Sequence, residues 1–349
     1  MNKGCDDNKR FNTLKVFEAF AGYGSQSTSL EYLGIDYEVV AISEVDKYAI
    51  QAYEAIHGKV NNLGDISKIK VEDIPQHDLF TYSFPCQSLS VAGKQEGLIR
   101  GQTKSGLLYE CEKIIEHCKP KYLLMENVKN LISKKFKPQF DEWLKYLESL
   151  GYTNYVKVLN AKNYGVPQNR ERVFVVSILG EHTPYEFPKP IALNKCITDI
   201  LEDKVDEKYY LSEEIQKKFK LTNQSENIIE KPINTLDFVG GIGDKDWVGD
   251  NKKLSRNYPQ GNRVYSSNGI ACSQTSNGGG LGGATGLYLV NYRIRKLTPR
   301  ECFRLMGMRE DDIDKIQQAG ISNTQQYKMA GNSIVVNVLE AIFRNLFLS

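Results

Sequence analysis

The first half of the chain repeats one pattern: a short run of β-branched and aromatic residues, a polar break, then apolar positions recurring every three or four residues. Short apolar runs bounded by turn residues suit buried strands, and the longer periodic stretches suit amphipathic helices. Strands are expected at 14–20, 37–43, 78–83, 121–126, 155–159 and 172–178. Between them, 138–150 sets Phe140, Trp143, Leu144, Leu147 and Leu150 on one helical face, with Gly151 where a left-handed cap belongs. A second helix is expected from Ser105, with Leu107, Leu108, Cys111, Ile114, Ile115 and Cys118 on its apolar side. Such alternation predicts an α/β fold with a doubly wound, mostly parallel sheet.

From about residue 181 the alternation stops. The stretch to about 290 is irregular and carries glycine clusters at Gly240-Gly241, 278–280 and Gly282-Gly283, so a separate, smaller, loop-rich domain is expected. Regular structure returns at Thr298-Pro299-Arg300-Glu301, which combines an N-cap hydroxyl, proline at the first helical position and a glutamate placed for a capping box. An amphipathic stretch at 334–347 closes the chain. The domains are therefore drawn as 12–182 with 322–349, and 183–321.

Composition changes this picture little. The 349 residues are 41% hydrophobic, ordinary for a globular protein, and a formal net charge of +2 neither demands nor excludes a polyanionic partner. Seven cysteines without a close CxxC pair and four scattered histidines argue against zinc and suit a reducing compartment. The polar start of the chain is no signal-peptide core, and no apolar run approaches a membrane span, so a cytoplasmic protein without a membrane partner is expected.

The candidate chemistry sits at the ends of the expected strands. Phe20-Ala21-Gly22-Tyr23-Gly24 follows the first strand, and its glycines let the backbone turn tightly beside a ligand, although an ordinary strand-to-helix turn would look the same. Glu44 ends the second strand, where a carboxylate can bind ribose hydroxyls. Both NAD and S-adenosylmethionine fit these features, but Ser27 stands where GxGxxG has its third glycine, favouring a cofactor without a pyrophosphate. Asp65-Ile66 offers an adenine acceptor and an apolar contact, or only a turn. Phe84-Pro85-Cys86-Gln87 follows the third strand and opens a polar segment to residue 104, so its thiol is placed to react rather than to pack. Glu126-Asn127 ends a strongly apolar strand, where desolvation would raise the acid's pKa, although a plain solvated carboxylate at a strand end would look the same. In Gln168-Asn169-Arg170-Glu171-Arg172 the alternate residues share one side of an extended segment, fit to hold a phosphate or favour a thiolate, or to form a surface ion ladder.

Taken in order, these motifs make the chain resemble the DNA (cytosine-5) methyltransferases over nearly its whole length. The resemblance implies a Rossmann-like S-adenosylmethionine-dependent fold. Phe20 to Gly24 resembles the family's cofactor loop, Glu44 its ribose-binding acid, Asp65-Ile66 its adenine contact, and Phe84 to Gln87 its nucleophile motif. Glu126-Asn127-Val128 resembles its catalytic acid motif, residues 168–172 its QxRxR segment, 300–307 its RECxRxMG helix, and Gly331-Asn332-Ser333 its C-terminal cofactor motif. By the same resemblance Val45, Pro85, Leu107, Asn332 and Ser333 join the cofactor contacts, and the final helix returns to the catalytic core beside the first strand. Two departures stand out: Val45 replaces an aromatic residue that stacks on adenine, and Ser273-Gln274 replace a Thr-Leu pair.

The implied reaction is covalent. Cys86 adds to cytosine carbon 6, Glu126 bonds the base, Arg172 and Arg170 steady thiolate and base, and carbon 5 takes the methyl of S-adenosylmethionine, leaving S-adenosylhomocysteine and requiring no metal. The implied partner is double-stranded DNA with the target base swung out of the stack. By the same resemblance the loop-rich domain, 183–321, is the target-recognition domain; phosphate contacts are expected from Lys94, Arg100, Lys104 and that domain, and other DNA contacts from Gln87, Ser88, Gln168, Arg263, Ser273, Gln274, Thr275 and Gly279. A monomer is expected, and a cognate restriction endonuclease is a further partner that the resemblance allows. An RNA cytosine-5 methyltransferase and an inactive DNA-binding regulator of the same fold are the alternatives.

Overall fold

The computed structural model describes residues 13–89, 96–221, 234–243, 258–276 and 279–349. Two compact units form within the chain, the first comprising Met1–Val158, Arg172–Pro188 and Ile342–Ser349, the second Leu159–Glu171 and Lys189–Ala341.

The first unit is built on β1 (Leu14–Ala19), α1 (Ser25–Tyr32), β2 (Tyr37–Ser43), α2 (Lys47–His57), β3 (Leu79–Tyr82), α3 (Glu110–Cys118), β4 (Tyr122–Val128), α4 (Lys137–Ser149) and β5 (Tyr152–Asn160). After β6 (Gln168–Asn169), which belongs to the second unit, the chain returns in β7 (Glu171–Leu179). The strands align in the order β2-β1-β3-β4-β7-β5. β1 pairs in parallel with β2 and β3, and β3 with β4, whereas β7 runs antiparallel to β4. All six expected strands are present. One face buries Phe17, Ala19, Phe80, Tyr82, Leu123, Met125, Val173 and Val175 with Cys111, Ile114 and Ile115 of α3 and Phe140, Trp143 and Leu147 of α4. These are the stripes read from the sequence, and Gly151 takes the left-handed conformation at φ 94°. The helix expected from Ser105 instead opens with 3-10 turns, Lys104–Tyr109, before α3.

The second unit continues with α5 (Glu213–Gln216), β8 (Phe219–Leu221), β9 (Phe238–Ile242), β10 (Arg263–Ser266), β11 (Ala271–Cys272), β12 (Leu287–Val290), β13 (Arg293–Arg295), α6 (Pro299–Arg304), α7 (Glu310–Gln318) and α8 (Asn323–Asn332). The last helix, α9 (Val336–Phe347), passes from this unit into the first, where Phe347 meets Tyr122 edge-on at 5.2 Å. The stretch expected to be irregular holds a five-stranded sheet, β13-β12-β10-β9-β8, over Val239, Ile242, Val264, Leu287 and Ile294. Its strands are three to five residues long and a glycine pair interrupts β9, so periodicity could not reveal them.

Glycine here lets backbone meet backbone. A β-carbon on Gly261 would lie 1.7 Å from the Gly279 carbonyl oxygen, while Gly282 N–H donates to the Gly261 carbonyl at 2.6 Å. The expected capping box is present: Thr298 accepts from the Glu301 N–H, and Glu301 accepts from the Thr298 N–H. Buried Glu301 also takes both ends of the Arg295 guanidinium, at 2.7 and 2.8 Å.

Candidate active site

In the first unit β1 lies between β2 and β3, so chain connections leave it in opposite directions, and ligands of open α/β sheets bind outside the carboxyl ends of strands at such a point. Phe20-Ala21-Gly22-Tyr23-Gly24 occupies that position. Phe20, Gly22 and Gly24 all have positive φ, and Phe20 N–H donates to the Ser43 carbonyl, tying the turn to the end of β2. A β-carbon at Gly24 would strike His57 and Tyr53 of α2, whereas one at Gly22 would meet nothing within 4 Å. Gly24 is thus closed by α2 and Gly22 faces open space. Ala21 and Tyr23 are buried, so at those positions the backbone is what the turn presents.

Glu44 accepts the Gly22 N–H at 2.9 Å through Oε2, and its Oε1 accepts the N–H groups of Val45 and Asp46. Val45 is 69% exposed, an apolar side chain left in the open beside this carboxylate. Asn62 completes the corner. Its Oδ1 accepts the N–H of Glu44 and of Gly64, and its amide donates to the Glu44 carbonyl. Asn62 opens an Asn-x-Gly-Asp run, whose residue types favour such a turn. Asp65 accepts from the N–H and hydroxyl of Ser67, bonds that hold its carboxyl below its ordinary range. Ile66 is buried in the core, so its side chain is part of the wall rather than an open contact. Leu107 is half-buried against the same core, and Pro85 is also half-buried.

β3 and β4 run side by side in register, Tyr82 opposite Met125, and carry their next residues to the same edge of the sheet. The Asn127 amide donates to the Phe84 carbonyl at 2.9 Å, tying the ProCysGln segment to the end of β4. Cys86 is half-buried, and its carbonyl accepts the Leu89 N–H in a tight turn. Because β7 is antiparallel to β4, with Val128 opposite Arg172 and Glu126 opposite Phe174, Glu126 and Arg172 are diagonal neighbours on one face. Arg172 Nε stands 3.1 Å from Glu126 Oε1.

Other expected residues behave differently. Arg170 is buried in the second unit, where its guanidinium donates to the carbonyls of Gln274, Gly331 and Ser333 at 2.7–3.0 Å. It clamps the backbone of that unit. Gln168 and Gln274 are also buried: the Gln168 amide donates to the Leu305 carbonyl, its oxygen accepts the Gln274 N–H, and the Gln274 amide donates to the Cys302 carbonyl. Ser88 is buried, and Arg100 is engaged by Glu112 and lies over the Tyr109 ring at 4.5 Å. Gln168, Gln274 and Ser88 are thus buried in this structure, whereas the Arg100 side chain remains 57% exposed beside Glu112. Arg263 Nε donates to the Tyr258 carbonyl, Ser273 and Thr275 are half-buried, and the Gly279 carbonyl is packed over Gly261. Gln87, Lys104 and Asn332 are exposed, whereas the Ser333 hydroxyl is turned back to the Met329 carbonyl. Lys94 lies outside the described residues. Among the described residues, no cluster of His, Cys, Asp and Glu could hold a metal ion, and no helix is long and apolar enough to cross a membrane.

Comparison with known proteins gives this geometry a context. The family model for C-5 cytosine-specific DNA methylase matches residues 14–348. The type II methyltransferase M2.ScrFI of Lactococcus lactis subsp. cremoris is 38% identical, over 96% of this chain and 99% of its own length. The type II methyltransferase M.HhaI of Haemophilus parahaemolyticus is 36% identical, over 97% and 95%. Among solved structures, the S. pombe Dnmt2 methyltransferase shares the fold with a TM-score of 0.69 at 19% identity, covering 96% of this chain and 98% of that one.

Proposed function

The chain belongs to the C-5 cytosine-specific DNA methylase family and is a DNA cytosine-5 methyltransferase of restriction-modification type, and from that premise we propose that Cys86, Glu126 and Arg172 carry its chemistry. The observation behind this reading is the Glu126–Arg172 pair on the face of β4 and β7, beside a ProCysGln segment that Asn127 ties to the same strand. The matching family model is DNA-specific, so the RNA-directed and inactive readings are not favoured.

The open backbone at Gly22, the Glu44 carboxylate and exposed Val45 fit an adenosine-containing cofactor, and Asp65 adds an acceptor near its base. S-adenosylmethionine, when bound, supplies an electrophilic methyl group. Cytosine carbon 5 is too weak a nucleophile to take it unaided. Addition of the Cys86 thiolate to carbon 6 breaks the 5,6 double bond and moves its electron pair towards carbon 5. Glu126 holds ring nitrogen 3 and the exocyclic amine, and Arg172 fixes Glu126 and balances the negative charge. Once carbon 5 carries the methyl group, its proton leaves to water and the carbon–sulfur bond breaks, returning the thiolate.

The segments that read the target sequence belong to residues 183–321, and the catalytic domain to 12–182 with 322–349. Double-stranded DNA is the substrate, engaged by a monomer in the cytosol. The six described cysteines form no disulfide, which suits a reducing compartment. The test is bisulfite sequencing of plasmid DNA from cells expressing the protein, beside Cys86→Ala. Protected cytosines in one recurring sequence, absent in the variant, are expected. Uniform conversion with a folded, cofactor-binding protein would overturn the reading.

A further inference from the structure

The turn that carries Cys86 is held by a residue that none of the motifs includes. Ser105 is fully buried, at the start of the 3-10 turns that precede α3. Its hydroxyl donates to the Pro85 carbonyl at 2.6 Å and accepts the Ser88 N–H at 3.3 Å. One oxygen therefore grips the backbone immediately before Cys86 and two residues after it. A hydroxyl has one proton to give and lone pairs to receive, so both bonds can exist together.

The surroundings make this grip rigid. A β-carbon on Gly106 would fall 2.1 Å from the Ile99 carbonyl oxygen, so the chain next to Ser105 is pressed against residues 97–99. Thr103 caps that turn by accepting the Gly106 N–H, and Gln139 of α4 bonds both the N–H and the carbonyl of Leu98. On the other side, Asn130 donates to the Leu89 carbonyl and Asn127 to that of Phe84. The asparagines tie the nucleophile turn to β4, and Ser105 ties it to the segment leading into α3.

We propose that Ser105 is a positioning residue for the nucleophile, its hydroxyl setting the direction in which the Cys86 sulfur approaches carbon 6 of the base. The inference rests on the reading of Cys86 as nucleophile. Addition to a ring carbon requires approach along one direction at close range, and a displacement of about 1 Å is enough to cost about 100-fold in rate. Being neutral, Ser105 acts through geometry and not through charge on the thiolate.

The experiment is single-turnover methyl transfer from radiolabelled S-adenosylmethionine to unmethylated bacterial genomic DNA, with wild type, Ser105→Ala, Ser105→Thr and Cys86→Ala compared across pH. Ser105→Ala is expected to lower the rate about 10- to 100-fold. KM for DNA and cofactor should stay within about threefold, and the pH-rate profile should keep its shape while its plateau falls. Ser105→Thr keeps the hydroxyl and should restore most of the rate. Should Ser105→Ala fail to fold, Ser105→Cys, with a weaker donor of similar size, takes its place and should give an intermediate rate. A folded Ser105→Ala enzyme within threefold of wild type would overturn the proposal, as would a loss confined to KM or an equal loss in folded Ser105→Thr. A wild type that transfers no methyl, like Cys86→Ala, would instead overturn the reading of Cys86.

Discussion

Two glycine-rich regions of this molecule look alike in composition and are built for opposite purposes. In Phe20 to Gly24 the backbone bends through positive φ and leaves open space at Gly22. Around residues 261–283 the same residue type lets two stretches of main chain touch, with the Gly279 carbonyl occupying the place of a β-carbon on Gly261. In the first region the absent side chain leaves space open at Gly22; in the second it makes room for the protein itself. Conformation at one glycine and contact at another are separate demands, and only the second should be punished mainly as lost stability.

Alanine substitution separates them. Gly261→Ala should cost about 3 kcal/mol or more, because backbone rather than a flexible side chain stands in the way. Gly22→Ala should cost only about 1 kcal/mol for its left-handed φ, while weakening binding of S-adenosylmethionine. Denaturant unfolding and cofactor titration measure the two, and the contrast is broken if Gly22→Ala proves the more destabilised.

The two arginines of the QxRxR segment extend the same contrast. Arg170→Met should destabilise by about 2 kcal/mol, since three carbonyls lose a buried charged donor. Arg172→Met should change stability by less than about 1 kcal/mol yet slow methyl transfer by at least about tenfold. Equal losses of stability would show that both are structural.

A third test concerns Glu18, at the end of β1 below the first glycine turn. It is fully buried, bonded to Ser27 through Oε1, and burial pushes its carboxyl up from 4.5 to about 7. The folded chain then keeps a proton that the unfolded chain releases. Stability should therefore be fully retained below about pH 4.5, fall as pH rises towards 7, and level off above. Glu18→Gln should flatten that slope in denaturation midpoints taken at half-unit steps of pH. A wild-type excess of stability that grows with pH relative to the variant would contradict it.

The smallest expected effect lies in the hairpin between β12 and β13, where Asn291 and Tyr292 both have positive φ and Tyr292 is 99% exposed. Asn-Gly is the favoured pair for such a turn. Tyr292→Gly should raise the thermal midpoint by a degree or two, the relief of strain being partly offset by glycine's freedom in the unfolded chain. A fall would mean that the exposed ring stabilises something in the free protein.

These cases also mark what could be read from the chain. Strands β3, β4 and β7 were legible because strands buried on both faces are written as near-continuous apolar runs, and Cys86 and Glu126 drew notice because one follows β3 and the other lies near the end of β4. Alternation placed Arg170 and Arg172 on one side of an extended segment, but nothing local says what lies opposite each, and their surroundings turned out to differ. Gln168 and Gln274 are expected as surface readers since polarity suggests water; in the fold both are buried and their amides donate to main-chain carbonyls. Ser105 left no trace in the sequence, because its two partners lie 17 and 20 residues away and only the folded loop brings them near.

The reversed direction of β7 has a consequence for anyone who would splice this chain. Glu171, which ends the first segment of the second unit, is followed directly by Arg172, the diagonal neighbour of Glu126 on the adjacent strand. Any segment exchanged for residues 159–171 must therefore rejoin the first unit at that bond without a spacer. One residue too many or too few would rotate Arg172 to the opposite face of the strand and leave Glu126 without its cation.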